Sequence, residues 1–267
     1  MSEGLFDIKR IASLFSRSAA SYDKYSQLQK TLSMGLAAKI KMQCIAPSNI
    51  LDIGTGTGDL AIMLAQLTSA KKIIGIDIAP GMIEFARKKS KDERVSFMVA
   101  GAEELPFTDG SFDVVASSST YQWVNDISQA FEEVHRVLAE DGCFAFVTFG
   151  PKTLIELRKA YKLKANPEAT YLHEYKDSDT IKKHLAKTGF KDIEISSKEI
   201  RQLYRNCRDL FKVLKGLGAL NAMKDHPITL KGHKKMMDLI HYYESTFAQA
   251  DNVYATYEVI EAVCKKG

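Results

Sequence analysis

Apolar and polar positions between residues 49 and 149 follow two alternating patterns. Five short apolar runs are rich in β-branched and aromatic residues, which is typical of strands buried on both faces of a parallel sheet. These runs are residues 49–54, 72–78, 95–101, 112–119 and 143–149. Between them, apolar residues recur at steps of three and four, the spacing of one helix face. The alternation predicts a doubly wound α/β sheet, whose ligands bind at the carboxyl ends of the strands.

The clearest helical pattern covers residues 127–138. Asp126 and Gln129 resemble a capping box at its start. Gly142 follows its end, as expected of a residue that terminates a helix. A second helix is predicted over Leu60–Leu67, directly after the first strand.

Helical patterns dominate after residue 150. They cover residues 152–163, 178–188, 206–221 and 230–249, and two further strands are predicted at 192–200 and 253–263. We therefore predict a seven-stranded, mostly parallel sheet in a domain of residues 46–267, preceded by a helical addition at residues 1–45. The segment 205–250 is predicted as a helical insertion that covers the carboxyl edge of the sheet as a lid.

Composition removes several classes of protein. The 267 residues are 45% apolar and 26% charged, which excludes disordered, collagen-like and coiled-coil chains. The four cysteines lack zinc or disulfide-scaffold spacing, and no histidine pair has metal spacing, so no metal site is predicted. Charges interrupt the N-terminus, and no later run has the length of a membrane span. A reduced, cytoplasmic protein that binds no membrane is expected.

Charge is distributed unevenly along the chain. Residues 1–150 carry a net charge of −3, whereas residues 151–267 carry +7. A basic C-terminal part favours an acidic partner, either nucleic acid or an acidic protein. The alternative is an ordinary lysine-rich surface exposed to solvent.

The segment Asp52–Gly58, with the sequence DIGTGTG, ends the first strand and precedes a helix. Its glycines permit a tight turn and a close approach of the backbone to a ligand. Asp77 ends the second strand, 19 residues after Gly58, where a carboxylate can accept both hydroxyls of a ribose. The glycines are spaced GxGxG, so the GxGxxG pattern that cradles a pyrophosphate is not met.

The ends of the third and fourth strands distinguish a nucleoside from a dinucleotide. Ala102 and Glu103 follow the third strand and are positioned to flank an adenine. The fourth strand ends in Ser118 and Ser119, followed by the segment 121–123, Tyr-Gln-Trp. A nucleoside whose reactive group faces the fourth strand fits this arrangement better than a nicotinamide cofactor.

These motifs resemble those of class I S-adenosylmethionine-dependent methyltransferases over residues 45–150. The resemblance rests on DIGTGTG, on Asp77 after KIIGI, on GAEELPF and on HRVLAEDGCFAFVTF. The flanking segments narrow it to the malonyl–acyl-carrier-protein O-methyltransferases of biotin synthesis. Those segments are FSRSAASYDKYSQLQ, the 121–123 segment, TLIELRKAY, LKGLGALN and TYEVIEAVCKK. The chain departs from that family at Thr55, where the family has Cys, and at Ser118 and Ser119, where it has an Asn-Leu-type sequence.

The resemblance implies methyl transfer from S-adenosylmethionine to the free carboxylate of a malonyl group on acyl carrier protein. No general base is implied, because a carboxylate is ionised at neutral pH. The cofactor-binding residues would be Asp52, Gly54, Thr55, Gly56, Gly58, Asp77, Ile78, Met82, Ala102, Glu103, Ser118 and Ser119. The residues at the reaction centre would be Tyr22, Gln122, Trp123 and Arg158.

Each residue predicted at the reaction centre also has an alternative role outside it. Tyr22 covers the cofactor or lines the acyl pocket, or it only packs a helix. Trp123 borders the reaction centre or belongs to the core, and Gln122 holds a substrate oxygen or lies at the surface. Arg158 binds the malonyl carboxylate with its planar fork, or pairs with an acid such as Glu156.

The helix at 206–221 has two opposed faces. Apolar residues cover one face, and four basic residues cluster on the other: Arg205, Arg208, Lys212 and Lys215. No acidic residue is expected to interrupt this basic stripe. It docks an acidic carrier protein, or it is merely the solvated face of the helix.

Other functions stay open at this point. One is methyl transfer to another small acceptor, such as a quinone precursor or a free carboxylic acid. The others are non-catalytic cofactor binding and nucleic-acid binding. RNA-modifying relatives often carry an Asn/Asp-Pro-Pro-Tyr/Phe-type motif after the fourth strand. The sequence Ser-Ser-Ser-Thr-Tyr at this position counts against base methylation, and we expect no nucleic-acid partner.

Overall fold

The computed structural model describes residues 7–44, 46–164, 175–219 and 233–267. The strands are β1 (Asn49–Ile53), β2 (Lys72–Asp77), β3 (Val95–Val99), β4 (Phe112–Ser118), β5 (Leu138–Phe149), β6 (Phe190–Tyr204), β7 (Ala248–Gln249) and β8 (Asn252–Lys266). The helices are α1 (Ile8–Tyr25), α2 (Gln27–Gln43), α3 (Asp59–Leu67), α4 (Pro80–Lys89), α5 (Ile127–Val137), α6 (Ile155–Lys164), α7 (Ser178–Thr188), α8 (Cys207–Gly216) and α9 (His233–Thr246). A single 3₁₀ turn covers Tyr121–Trp123.

The strands form one sheet in the order β3-β2-β1-β4-β5-β8-β6. Neighbouring strands from β1 to β5 are parallel, and β8 runs antiparallel to both β5 and β6. The predicted seven-stranded, mostly parallel sheet is thus confirmed, and the short β7 pairs with β8 outside this order. The strand order reverses between β1 and β4, which is where ligands bind in such sheets.

Helices cover both faces of the sheet. On one face Leu36 of α2, Leu64 of α3 and Leu157 of α6 belong to one buried cluster. On the other face Phe131 of α5 and Leu185 of α7 belong to a second cluster. All five are fully buried, and burying each such side chain stabilises the fold by about 1.5–3 kcal/mol. Because helices cover both faces of the sheet, the side chains on both faces of each central strand are buried. This explains why the sequences of these strands are continuous apolar runs.

Helix α5 begins where the sequence predicts, but its cap differs. The Asp126 carboxylate accepts hydrogen bonds from the backbone N–H groups of Ser128 and Gln129. The Gln129 side chain does not return to Asp126; it donates to the Glu103 carbonyl oxygen. The Asp126 N–H instead donates to the Glu103 carboxylate at 2.8 Å. The predicted capping box is therefore wrong in its second half, because a distant carboxylate completes the cap.

The end of α5 also differs from the prediction. The helix stops at Val137, and β5 begins at once at Leu138, five residues before the predicted strand at 143. Gly142 lies inside β5 at an irregularity in its pairing with β4 and does not terminate the helix. A Cβ at this position would lie 2.7 Å from the Ala139 carbonyl oxygen, so the backbone leaves no room for a side chain here.

The C-terminal strands are longer than predicted. Strand β6 extends to residues 190–204 and β8 to residues 252–266. Antiparallel pairing between them continues through exposed positions of β6, where no apolar pattern marks a strand. The helices α8 and α9 lie between β6 and β8, as predicted for the insertion. Helix α8 ends at Gly216 rather than at 221, and residues 220–232 lie outside the described residues.

No helix in the described parts of the chain is both long and apolar enough to cross a membrane.

Candidate active site

A cavity of about 810 Å³ opens at the carboxyl ends of the parallel strands, and we call it the strand-end cavity. It lies at the point where the strand order reverses. Nine of the twelve predicted cofactor-binding residues line it: Gly54, Gly56, Asp77, Ile78, Met82, Ala102, Glu103, Ser118 and Ser119. These residues follow four different strands, and the sheet brings them together.

The turn between β1 and α3 forms one wall of this cavity. Gly54 has φ +69°, and a Cβ there would lie 2.1 Å from Thr120 Oγ1. Gly56 has φ +55°, and a Cβ there would meet no atom within 4 Å. Both positions favour glycine because of their left-handed backbone. Of the two, only Gly54 also lacks room for a side chain, because Thr120 occupies that space. At Gly56 the turn presents bare backbone to the cavity.

Asp77 holds the turn from the neighbouring strand. Its Oδ2 accepts a hydrogen bond from the Gly56 N–H at 3.0 Å, and its Oδ1 accepts one from the Ala79 N–H at 2.8 Å. Each carboxylate oxygen accepts two hydrogen bonds, so each retains a lone pair for a ligand hydroxyl. Burial raises the pKa of Asp77 to about 6, although the two N–H groups oppose this shift. Asp77 is thus mostly ionised at neutral pH and suited to bind a diol.

Asp52 and Thr55 lie beneath the turn. Thr55 Oγ1 donates to Asp52 Oδ2 at 2.6 Å, and Asp52 is fully buried. Burial raises the pKa of Asp52 to about 7. Neither residue lines the strand-end cavity; both border a smaller one of about 360 Å³, which we call the loop cavity. Their visible role is to support the turn, so direct contact with a cofactor stays a prediction.

Gly58 lines neither of these cavities. It precedes α3 with φ +86°, and a Cβ there would lie 2.9 Å from Phe97 Cζ and 3.2 Å from Ala86 Cβ. The missing side chain of Gly58 therefore lets α3 pack closely on β3 and α4, and its contact with the cofactor stays a prediction.

Helix α1 closes the strand-end cavity from above. Its face of Ile8, Ile11, Phe15 and Tyr22 lines the cavity. Of these four residues only Tyr22 was predicted to lie at the site, although the spacing of three, four and seven residues is typical of one helix face. Tyr22 also borders the loop cavity. Burial and the charge of Asp77 raise the pKa of Tyr22, so its hydroxyl stays protonated.

Charged groups hold α1 against the glycine turn. The Asp23 carboxylate accepts a hydrogen bond from Thr57 Oγ1 at 2.6 Å and forms an ion pair with Lys89 at 2.7 Å. Lys89 pairs at the same time with Asp59 at 2.6 Å. The first helix is thereby tied to the turn, to α3 and to α4.

A second cavity of about 530 Å³ lies beneath α8, and we call it the roof cavity. It shares Phe15, Tyr22, Ser119 and Trp123 with the strand-end cavity. Its other walls come from segments far apart in sequence: Gln29, Gln122, Phe149, Thr153, Leu154, Tyr175, Leu214, Leu217, Ala219 and Tyr257. The four shared residues form a seam at which ligands in the two cavities would meet.

Trp123 lies at this seam, and the preceding residue, Gln122, lines the roof cavity. Trp123 packs edge-on against Phe15, with ring centroids 5.6 Å apart. Gln122 is buried, its Nε2 donates to the Ser119 carbonyl oxygen at 2.5 Å, and its Oε1 accepts from Thr148 Oγ1 at 2.9 Å. One N–H of the Gln122 amide therefore holds the chain after β4, and the second N–H is left for a substrate oxygen.

Arg158 is placed differently. It lines neither the strand-end cavity nor the roof cavity, and its Nη2 donates to the Pro151 carbonyl oxygen. Its charge acts on the hydroxyl of Tyr175, whose pKa is nevertheless raised by burial. The alternative of an ion pair with Glu156 is wrong, because the buried Glu156 carboxylate accepts hydrogen bonds from the Thr256 N–H and Oγ1. A contact between Arg158 and a substrate carboxylate stays a prediction.

Helix α8 has the two predicted faces. Its apolar residues are buried or half-buried, and the basic stripe of Arg205, Arg208, Lys212 and Lys215 is exposed. One expectation is corrected: Arg205 lies before the helix begins and forms an ion pair with Asp209 at 3.6 Å. An acidic residue thus interrupts the stripe, and Arg208, Lys212 and Lys215 form its helical part.

Residues 51–146 match the family model described as a methyltransferase domain. Among solved structures, the chain is similar to the YcgJ protein of Bacillus subtilis, with TM-score 0.63 and 21% identity over 88% of this chain and 97% of that one. It is also similar to phosphoethanolamine N-methyltransferase 2 of Haemonchus contortus, with TM-score 0.60 and 22% identity over 94% of this chain and 57% of that one. At these identities the structures establish the fold alone.

Curated relatives match the whole chain. A malonyl-[acyl-carrier protein] O-methyltransferase of Geobacter sulfurreducens is 34% identical over 98% of this chain and 100% of its own length. One of Gallionella capsiferriformans is 32% identical over 97% of this chain and 91% of its own length. Similarity of this extent covers α1, the insertion and the last strand as well as the central sheet. The chain accordingly belongs to the malonyl-[acyl-carrier protein] O-methyltransferase family.

Proposed function

We propose that this chain transfers the methyl group of S-adenosylmethionine to the free carboxylate of a malonyl group carried by acyl carrier protein. The observation that carries this proposal is the pair of cavities that meet at a shared seam. One cavity suits a nucleoside, and the other suits an acyl group. Full-length similarity to enzymes of that name supports the choice of substrate.

The strand-end cavity fits the cofactor. Asp77 offers a carboxylate with free lone pairs to the ribose hydroxyls, and Gly56 leaves space for the ligand beside the backbone. Ala102 and Glu103 line the part of the cavity beyond β3, where the adenine would lie. S-adenosylmethionine, when bound, supplies a methyl group that its sulfonium makes electrophilic, so an ionised carboxylate accepts it without a base.

The residues of the chain would therefore act by positioning rather than by proton transfer. Tyr22 stays protonated, and no histidine is found among the described residues that line the two cavities. Holding nucleophile and methyl group in line contributes on the order of 7–11 kcal/mol to such reactions. Tyr22 and Trp123 at the seam would hold the reacting groups and exclude water, which strengthens polar contacts within the site.

The product follows from the chemistry. Esterification removes the negative charge of the malonyl group. By resemblance to its family, the chain would thereby convert malonyl into a group that fatty-acid enzymes can elongate towards pimeloyl, early in biotin synthesis.

Docking of the carrier protein is assigned to the basic stripe. Arg208, Lys212 and Lys215 are exposed on α8, while Leu214 of the same helix lines the roof cavity. One helix thus joins a positively charged surface to the acyl side of the site, which suits an acidic carrier whose acyl group must enter that cavity. Arg205 contributes less, because Asp209 neutralises it.

A methyl-transfer assay with labelled cofactor tests the function. We expect label on malonyl–acyl carrier protein and none on acetyl–acyl carrier protein, which lacks the carboxylate. Asp77→Ala serves as the control that the signal depends on the strand-end cavity. Labelling of RNA or of a free carboxylic acid in preference to the carrier substrate would contradict the proposal.

A further inference from the structure

Four consecutive hydroxyl-bearing residues, 117–120, end β4 and begin the seam. Three of their hydroxyls are paired. Ser117 Oγ donates to the Ile53 carbonyl oxygen at 2.8 Å, and Thr120 Oγ1 reaches the same oxygen at 3.2 Å. Ser118 Oγ accepts a hydrogen bond from Ser33 Oγ at 3.1 Å.

Ser119 is the exception. Its Oγ is buried and has no hydrogen-bond partner among the residues that the structure describes. A buried polar atom without a partner is costly, and native proteins satisfy nearly all of them. Ser119 lines both the strand-end cavity and the roof cavity. Its Oγ is turned into the protein, so a rotation about χ1 is needed to bring the hydroxyl to a ligand at the seam, which would then be the missing partner.

The backbone of Ser119 is held in an unusual conformation. Its φ is +61°, in the left-handed region that residues other than glycine rarely adopt. Its N–H donates to the Val147 carbonyl oxygen at 2.8 Å, and its carbonyl oxygen accepts from Gln122 Nε2. Thr148 fixes Gln122 in turn. Such strain persists only where surrounding contacts impose it, and it is concentrated at functional sites.

The roof cavity needs a donor of this kind. In the described part of the chain its lining includes no charged side chain. Arg158 is near enough to act on the hydroxyl of Tyr175, which lines the cavity, but does not line the cavity itself. An anionic acceptor that enters the cavity must therefore find hydrogen-bond donors in the lining itself. At the seam, the Ser119 hydroxyl has no competing partner.

We propose that the Ser119 hydroxyl donates a hydrogen bond to one carboxylate oxygen of the acceptor and so directs the other oxygen towards the methyl group. This inference rests on the proposed function and deepens it by naming the group that recognises the acid. Ser119 takes no part in bond making, and no proton is transferred. Gln122 acts as a positioning residue for Ser119, because one of its N–H groups holds the Ser119 carbonyl oxygen.

The test measures binding in the absence of methyl transfer. S-adenosylhomocysteine is bound first to the wild-type protein and to Ser119→Ala, and each is then titrated with malonyl– and acetyl–acyl carrier protein. Losing a hydrogen bond to a charged group should weaken malonyl binding about ten- to hundredfold. Acetyl binding and the affinity for S-adenosylhomocysteine should change by less than about twofold, since neither uses the hydroxyl.

Two further variants separate the hydroxyl from the backbone. Ser119→Gly also lacks the hydroxyl but adopts positive φ without strain, so it should share the malonyl defect of Ser119→Ala. Ser196→Ala removes an exposed hydroxyl on β6 and should bind all three ligands like the wild type. Wild-type malonyl affinity in Ser119→Gly would show that strain, not the hydroxyl, explains the Ser119→Ala defect, and would overturn the inference.

Other results overturn it as directly. Unchanged malonyl affinity in Ser119→Ala, an equal loss for acetyl, or a parallel loss of S-adenosylhomocysteine affinity would each do so. A wild-type protein that methylates no malonyl–carrier protein would instead show that the proposed function is wrong, before any variant is made.

Discussion

The two cavities that meet at the seam are built in opposite ways. The strand-end cavity consists largely of turns that directly follow β1, β2, β3 and β4. The roof cavity draws its walls from α1, from the chain after β5, from Tyr175, from α8 and from β8. A parallel sheet brings its strand ends together whatever covers it, whereas the roof cavity exists only once the helical additions have docked.

The two cavities also differ in charge. Asp77 and Glu103 line the strand-end cavity, while the described lining of the roof cavity is aromatic, aliphatic and neutral polar. An acidic cavity suits a cationic cofactor, and a neutral one rich in donors suits an anionic acceptor. We therefore expect recognition of the cofactor to depend on fixed carboxylate and backbone groups, and recognition of the acceptor to depend on a few hydroxyls and amides.

The largest effect is expected at Gly54, because its neighbour Thr120 directly follows Ser119, which lines both cavities. Gly54→Ala places a Cβ against Thr120, next to Ser119, in a backbone with φ +69°. Overpacking and left-handed strain together should lower the free energy of unfolding by about 2–5 kcal/mol. Chemical denaturation measures this loss. Gly56→Ala is the matched control, because it adds the strain without a clash and should cost about 1–2 kcal/mol. Equal losses would contradict the close packing described at Gly54.

The next effect should be confined to the strand-end cavity. Asp77→Ala removes the acceptor for the ribose hydroxyls and should weaken cofactor binding by about 1.5–3 kcal/mol. Calorimetric titration of the folded variant measures this change. Wild-type cofactor affinity in that variant would show that Asp77 only supports the Gly56 turn.

Cofactor affinity should also depend on pH through the same carboxyl. The pKa of Asp77 is about 6 in the free protein, and hydroxyl donors stabilise its ionised form, so binding lowers this pKa further. Affinity should therefore be constant well above pH 6 and fall by up to about tenfold per pH unit below it. Asp77→Asn should abolish this step while leaving any step near pH 7, which we would assign to Asp52. A fall in cofactor affinity near pH 6 that persists in Asp77→Asn would mean that a group other than Asp77 causes it.

On the acceptor side, Arg158→Lys tests whether the planar fork of Arg158 binds the malonyl carboxylate. Lysine keeps the charge but lacks the planar fork, so kcat/KM for malonyl–carrier protein should fall about tenfold, or 1.4 kcal/mol. Cofactor affinity should not change. An unaltered kcat/KM would mean that the acid is bound without Arg158, by groups in the cavity lining.

The smallest effect is expected at the basic stripe. Reversing Arg208 and Lys212 to Glu should raise KM for malonyl–carrier protein several-fold, because exposed charges act mainly on encounter. The defect should shrink in 1 M salt, where the Debye length is about 3 Å, and it should be smaller for malonyl-coenzyme A. Reversing the exposed Lys182 and Lys183 on α7 makes the same charge change elsewhere. The same rise in KM from that variant would mean that the stripe has no docking role.

Prediction from the sequence was most accurate where function follows a strand directly. The glycine turn and Asp77 lie in the strand-end cavity as expected, because covalent adjacency to a strand end determines their place. Gly58 belongs to the same motif but lines neither the strand-end cavity nor the loop cavity. Its neighbours, Phe97 and Ala86, come from other elements, and no local pattern reveals such a contact.

By itself the sequence determined the order of strands and helices, the parallel sheet and the cofactor side of the site. These follow from periodicity and from short motifs, which are local properties of a chain. Only the tertiary structure decided that Glu103 caps α5, that Arg158 turns towards Pro151 and that Tyr175 lines the roof cavity. It also decided which of four adjacent hydroxyls has no partner in the described structure. The physical reason is that hydrogen bonds and burial depend on groups brought together from distant parts of the chain, whereas propensity and spacing record only neighbours in sequence.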